Sequence, residues 1–174
     1  VFGDYAITPA ENVIYPNRLL LERDLFKTRS VRNMLYQDLY NSKCFALVDH
    51  QVAHVYVQDQ SALADAKLLF SKTKGVQTVF EGHEFGHPRA DELVLTAAPG
   101  HWFAYPWWVK PSEAPDYATH VDIHSKPGFD PCELIMELWP PMSTSLDANR
   151  IKGTHGLSEG DEHAVFLGST IPEL

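Results

Sequence analysis

Residues 44–80, CFALVDHQVAHVYVQDQSALADAKLLFSKTKGVQTVF, constrain the fold more than any other part of the chain. The first part reads as two β runs, with Val48-Asp49-His50-Gln51 between them and alternation resuming at Val55 and Val57. At Asp59 the period changes. DQSALADAKLLFSKTKG is the clearest helix in the sequence, with Asp59 or Ser61 near its start and Gly75 after its last turn. VQTVF then reads as a strand. The order strand, helix, strand points to an α/β layer.

The flanks extend that reading. VFGDYAITP opens the chain as a strand over residues 1–7, carries Asp4 and closes on Pro9. It begins in mid-strand with no Met or polar lead, so the 174 residues are expected to belong to something longer. NRLLLERDLF, residues 17–26, has a helical apolar period with Asn17 as its cap. DELVLTAAPGHWFAYPWW supplies two more strands around the turn pair Pro99-Gly100. Beyond Trp108 the regularity stops, and Pro106, Pro111, Pro115, Pro127, Pro131, Pro140 and Pro141 punctuate a long irregular stretch of the functional kind. No linker divides the chain, so residues 1–174 are expected to form a single domain.

Composition narrows the function. The formal charge of −9 argues against binding a nucleic-acid duplex, which needs a basic face to displace counterions. A small phosphorylated substrate is compatible with that charge where a metal supplies local positive charge. Cys44 and Cys132 make no disulfide framework and no C-x-x-C, which suits buried thiols in a reduced, cytoplasmic setting. No apolar run approaches the ~18 residues of a membrane span.

Three constellations could carry chemistry. GHEFGHP contains His83-Glu84-Phe85-Gly86-His87, the H-E-x-x-H pattern of zinc proteases. That pattern needs a helix to bring both imidazoles to one face, and Gly82, Gly86 and Pro88 oppose one, so a loop is expected. In HVDIHSKPGFDP, His120, Asp122 and His124 alternate and would share a face if extended, as a metal or acid/base cluster or as a solvated edge strand. Lys126 and Asp130 flank a Pro-Gly turn beside it. In IKGTHG, His155 stands between two glycines that permit close backbone approach.

Taken with GDYAIT, NRLLLERDL, ALVDHQVAHVYV, HPRADELVLTAAPGHWFAYPWW and APDYATHVDIHSKPGFDPCEL, these pieces resemble the C-terminal part of the alkaline phosphatase superfamily, in its type I phosphodiesterase/nucleotide pyrophosphatase branch. The resemblance covers residues 3–156. It implies an alkaline-phosphatase-like α/β sandwich, a central sheet flanked by helices, of which this chain is the C-terminal part.

The resemblance also implies two divalent metals, zinc by preference, in the intact enzyme. Asp4 matches a metal-binding Asp, Tyr5 stands where that family has His, and His155 matches the His that binds the other metal. The hydroxyl nucleophile lies upstream in the family. Asp122 and His124 are then the catalytic candidates, and His120, Lys126 and Trp107 line the substrate pocket, with Trp102, Tyr105 and Trp108 as an aromatic wall or as core.

The implied activity is metal-dependent hydrolysis of phosphate mono- or diesters. The implied partners are a small phosphorylated substrate and an upstream half-chain or second copy. The alternatives are a non-catalytic binding domain, which Tyr5 favours, and a zinc protease built on HEFGH.

Overall fold

The computed structural model describes residues 6–86, 91–120, 135–137 and 143–157. Its elements in chain order are β1 (Thr8–Pro9), β2 (Asn12–Ile14), α1 (Pro16–Glu22), β3 (Thr28–Val31), β4 (Met34–Gln37), β5 (Cys44–Asp49), β6 (Val52–Val57), α2 (Leu63–Ser71), β7 (Val76–Glu81), β8 (Leu93–Ala97), β9 (His101–Phe103), β10 (Ile135–Glu137), β11 (Ser143–Ser145) and β12 (Gly153–Thr154).

The centre is a four-stranded sheet in the order β5-β6-β8-β7, antiparallel at every step. Period-two alternation decides its faces. Cys44, Ala46 and Val48 of β5 and Ala53, Val55 and Val57 of β6 are buried, and Leu93, Leu95 and Ala97 of β8 continue that side. Phe45, Leu47, His54 and Tyr56 lie on the opposite, half-buried side.

Strand, helix and strand follow each other as the periodicity predicts, and the fold is mixed α/β. The crossover is split. β8 inserts between β6 and β7, so those two run parallel without touching. α2 packs on β7 and buries Ala66 and Phe70, four residues apart on one helix face. A 3-10 turn at Gln60–Ala62 leads into it, and the Asp59 side chain accepts from Ser61 N–H at 3.0 Å. Gly75, at φ 90, reverses the chain into β7.

α1 is shorter than residues 17–26. Pro16 takes the first helical position, Tyr15 precedes it as the cap, and Asp24 at φ 60 ends the turn that follows Glu22. Leu25 and Phe26 therefore leave the helix and enter the core. Asn17 is buried inside the first turn, and its amide is bonded to Ala46.

β3 and β4 form a hairpin that the sequence pattern did not signal. Its turn residues, Arg32 and Asn33, both take positive φ, 51 and 68, the conformation that matches strand twist in a two-residue turn.

The two strands around Pro99-Gly100 are present as β8 and β9, but β9 turns away and pairs in parallel with β2. Residues 1–5 of the expected opening strand lie outside the described residues, and among the described residues strand pairing starts at Thr8.

Candidate functional site

The β5–β6 hairpin closes through His50 and Gln51, with Asp49 opposite Val52. His50 sits at φ 55, in the left-handed region that costs a non-glycine residue roughly 1–2 kcal/mol. Gln51 is fully buried. Three chain segments converge on this turn through the backbone. Phe103 N–H donates to the His50 carbonyl at 2.7 Å, Ala97 N–H donates to the Gln51 carbonyl at 2.9 Å, and Gln51 N–H donates to the His155 carbonyl at 3.1 Å.

The loop carrying His155 is brought there by β12, which pairs antiparallel with β1, Thr154 opposite Thr8. Ala10 N–H adds a bond to the Lys152 carbonyl at 2.9 Å. Gly156 takes φ 122, a conformation that glycine adopts without strain, and its backbone passes in van der Waals range of Gln51 and the Asp49 carbonyl. The result is a contact between two imidazoles: the rings of His50 and His155 are 4.1 Å apart between centroids and tilted by 44°. The Asp49 carboxylate lies 3.7 Å from His50 Nε2.

His155, which the sequence singled out, lies in this contact, and His50, its neighbour there, was not singled out. The available signal was a histidine where the chain turns between two strands, a position that usually takes Gly, Asn or Asp. Asp4 lies outside the described residues, and so do Asp122, His124 and Lys126. His120 follows a 3-10 turn at Asp116–Thr119, with its Nδ1 2.9 Å from both the Asp116 carbonyl and Thr119 Oγ1.

Trp107 departs from the expectation that it lines a pocket. It is fully buried, packs against Phe26 and Trp108, and donates its indole N–H to the Leu35 carbonyl at 3.0 Å. Trp102 is buried as well. Tyr105 and Trp108 line a small cavity with Ala118, Ile135, Leu146 and Ala148.

The protease motif is broken where its helix would have to run. Gly82–Phe85 form a single 3-10 turn, more ordered than the expected loop, and Gly86 ends it in the left-handed conformation at φ 61. The Glu84 carboxylate accepts from Glu81 N–H at 2.7 Å, and His83 Nδ1 lies 3.3 Å from Glu81 Oε2. His87 lies outside the described residues.

On the half-buried face of the sheet, His54 Nδ1 lies 2.6 Å from the buried Asp91 carboxylate, an electrostatic contact rather than an aligned hydrogen bond. Burial, and then the Asp91 carboxylate, push the neighbouring Tyr56 hydroxyl up to about 12. This pair too went unseen in the sequence.

Imidazole beside carboxylate at the 49–51 turn suits a divalent metal of the zinc type in donor chemistry. Among the described residues, no group of three or more His, Cys, Asp or Glu side chains could hold an ion by itself. A closed site therefore needs donors beyond these.

A family model described as type I phosphodiesterase/nucleotide pyrophosphatase matches residues 1–130. No curated protein matches the chain. Among solved structures it is similar to phosphonoacetate hydrolase from Sinorhizobium meliloti 1021, in its complexes with phosphonoformate and with phosphonoacetate, at 21% and 20% identity and a TM-score of 0.41 in both. In each case the match covers 59% of this chain and 27% of the other.

Proposed function

We infer the function of this chain from one premise: it belongs to the type I phosphodiesterase/nucleotide pyrophosphatase family, a branch of the alkaline phosphatase superfamily. We propose that it is the metal-binding part of a hydrolase acting on phosphate mono- or diesters of small molecules in a reduced, cytoplasmic compartment.

The observation that carries the reading is the docking of the His155 loop on the hairpin turn, beside the strand that follows the chain's first residues. In this reading His155 and Asp4 hold divalent metal. When bound, the metal supplies Lewis acidity to the phosphoryl oxygens of the substrate. Each residue has one task besides. Asp122 and His124 move the proton of the attacking or departing oxygen. Lys126 and His120 donate hydrogen bonds to the phosphate oxygens and orient them. The hydroxyl nucleophile comes from the half of the family's domain that this sequence does not match.

The test is a chromogenic phosphodiester assay with zinc or manganese. It is run on this chain alone and with a polypeptide carrying the nucleophile-bearing half of the domain. Turnover is expected only in the combination, and is lost in His155→Ala. Robust turnover by this chain alone, unchanged by His155→Ala, would overturn the assignment. A chain that takes up no metal in either form would be a binding domain, the reading that Tyr5 favours.

A further inference from the structure

We propose that His54 is a nucleophilic modification site, an imidazole that Asp91 holds with Nε2 open to accept a phosphoryl group from a small activated donor. The site lies on the half-buried face of the sheet and uses none of the residues assigned to metal. Three observations carry it.

The first fixes the tautomer. Asp91 Oδ2 lies 2.6 Å from His54 Nδ1. An unprotonated Nδ1 would turn its lone pair on a carboxylate at that distance, so the ring proton belongs on Nδ1 and the free lone pair on Nε2. This repulsion acts between charge and dipole and needs no aligned hydrogen bond. The second is the burial of the carboxylate. The Asp91 side chain is 1% exposed, and neither of its oxygens has an aligned hydrogen-bond partner. In such surroundings its charge acts strongly on the ring beside it. The strand neighbours of His54 are Leu47 and Val94, both apolar, and the adjoining Glu92 carboxylate is engaged by Val57 N–H at 2.7 Å. The third is access. The His54 side chain is 45% exposed, and with Nδ1 turned to the buried carboxylate that exposure falls on the edge carrying Nε2.

The other described histidines lack this combination. His101 and His120 turn Nδ1 to backbone carbonyls, which carry no full charge, and the Cδ2–Nε2 edge of His101 lies over Gly75. His83 faces Glu81, a half-exposed carboxylate shared with Lys67. His50 and His155 lie against each other, and the Asp49 carboxylate beside them is exposed.

The step balances without a further reactant. The Nε2 lone pair bonds to phosphorus, and the bond from phosphorus to the donor's leaving atom breaks. With phosphoramidate as donor, the electron pair departs on ammonia. The ring becomes a phosphorylated imidazolium that keeps its Nδ1 proton, and the Asp91 charge offsets the positive charge that forms. An acyl group on the same nitrogen would be lost to water, whereas a phosphoryl group persists at neutral pH.

The test is treatment of the whole chain with phosphoramidate at neutral pH, read by phosphorus NMR and by mapping the labelled histidines under alkaline conditions. His54 is expected to be labelled first, at Nε2, and His54→Gln to lose that label. Asp91→Asn is expected to slow labelling of His54 by roughly tenfold or more, while the other histidines keep their rates. Thermal unfolding checks that the variants fold, and long-range nitrogen–proton NMR reads the His54 tautomer in the wild type. Should Asp91→Asn not fold, the wild-type tautomer and order of labelling decide alone.

Labelling of His54 no faster than of His120, a label on Nδ1, or an Nε2–H tautomer in the wild type would overturn the proposal. So would unchanged labelling of His54 in a folded Asp91→Asn variant.

Discussion

The side-chain amide of Asn17 donates to the Ala46 carbonyl at 2.8 Å and accepts from Ala46 N–H at 2.7 Å. A helix residue thus pairs with an outer strand as a neighbouring strand would, and both partners are buried. Replacing Asn17 by Leu leaves the two backbone groups of Ala46 without partners. Each costs about 1–3 kcal/mol, so a loss of roughly 2–6 kcal/mol is expected in urea unfolding. Asn17→Asp is expected to be nearly as damaging, because a carboxylate faces the Ala46 carbonyl without a proton to donate. A loss under about 0.5 kcal/mol for Asn17→Leu would show that the pair is not buried in solution.

Gly75 and Gly100 both take positive φ, 90 and 74, but their surroundings differ. A Cβ at Gly75 would lie 2.3 Å from His101 Cδ2, whereas one at Gly100 meets nothing within 4 Å. Gly100→Ala carries backbone strain alone, about 1–2 kcal/mol. Gly75→Ala is expected to cost more, and Gly75→Ala/His101→Ala to recover the difference. Equal losses for the two single variants would contradict the close approach of His101.

Burial pushes the Cys44 thiol up to about 11 from its usual 9.0, with Asp59 and Glu92 adding to it. The native state keeps a proton that the unfolded chain releases. This contribution to stability is complete below pH 9 and is lost as the pH rises toward 11, at no more than ~1.4 kcal/mol per pH unit for one proton. Tyr56 extends the decline from its usual 10.0 to about 12. In a Cys132→Ser background, Cys44→Ala is expected to flatten the stability profile between pH 9 and 11, and native Cys44 to resist thiol reagents at pH 8. Rapid native-state labelling at that pH would contradict this.

The HEFGH segment is expected to be dispensable for metal. His83→Ala and Glu84→Gln should leave cobalt uptake unchanged, and no zinc-dependent peptidase activity should accompany the protein. Glu84→Gln keeps a side-chain oxygen that can accept from Glu81 N–H, so its effect on stability should stay within about 0.5 kcal/mol. Loss of one equivalent of metal on His83→Ala would restore the protease reading.

Some of this was legible along the chain. The change from period two to period 3.6 at Asp59, the stop at Gly75 and the break at Gly86 are local properties. Alternation reports which side of an element meets the core, and glycine marks where the backbone must turn left-handed, so neither depends on distant residues. The family resemblance pointed to His155 on the same local basis, residue by residue.

The rest was decided by pairing over long separations. Thr8 meets Thr154 from 146 positions away, β8 enters between β6 and β7, and β9 chooses β2 over its neighbour in sequence. Trp107 turned inward because the Leu35 carbonyl, on an unforeseen hairpin, accepts its N–H. His50 reached His155 because the turn around buried Gln51 needed partners for its backbone groups and found them in Phe103, Ala97 and the loop after β12. Such choices depend on which closures satisfy the whole set of buried polar groups at once. No window of sequence contains that condition, and only the assembled fold expresses it.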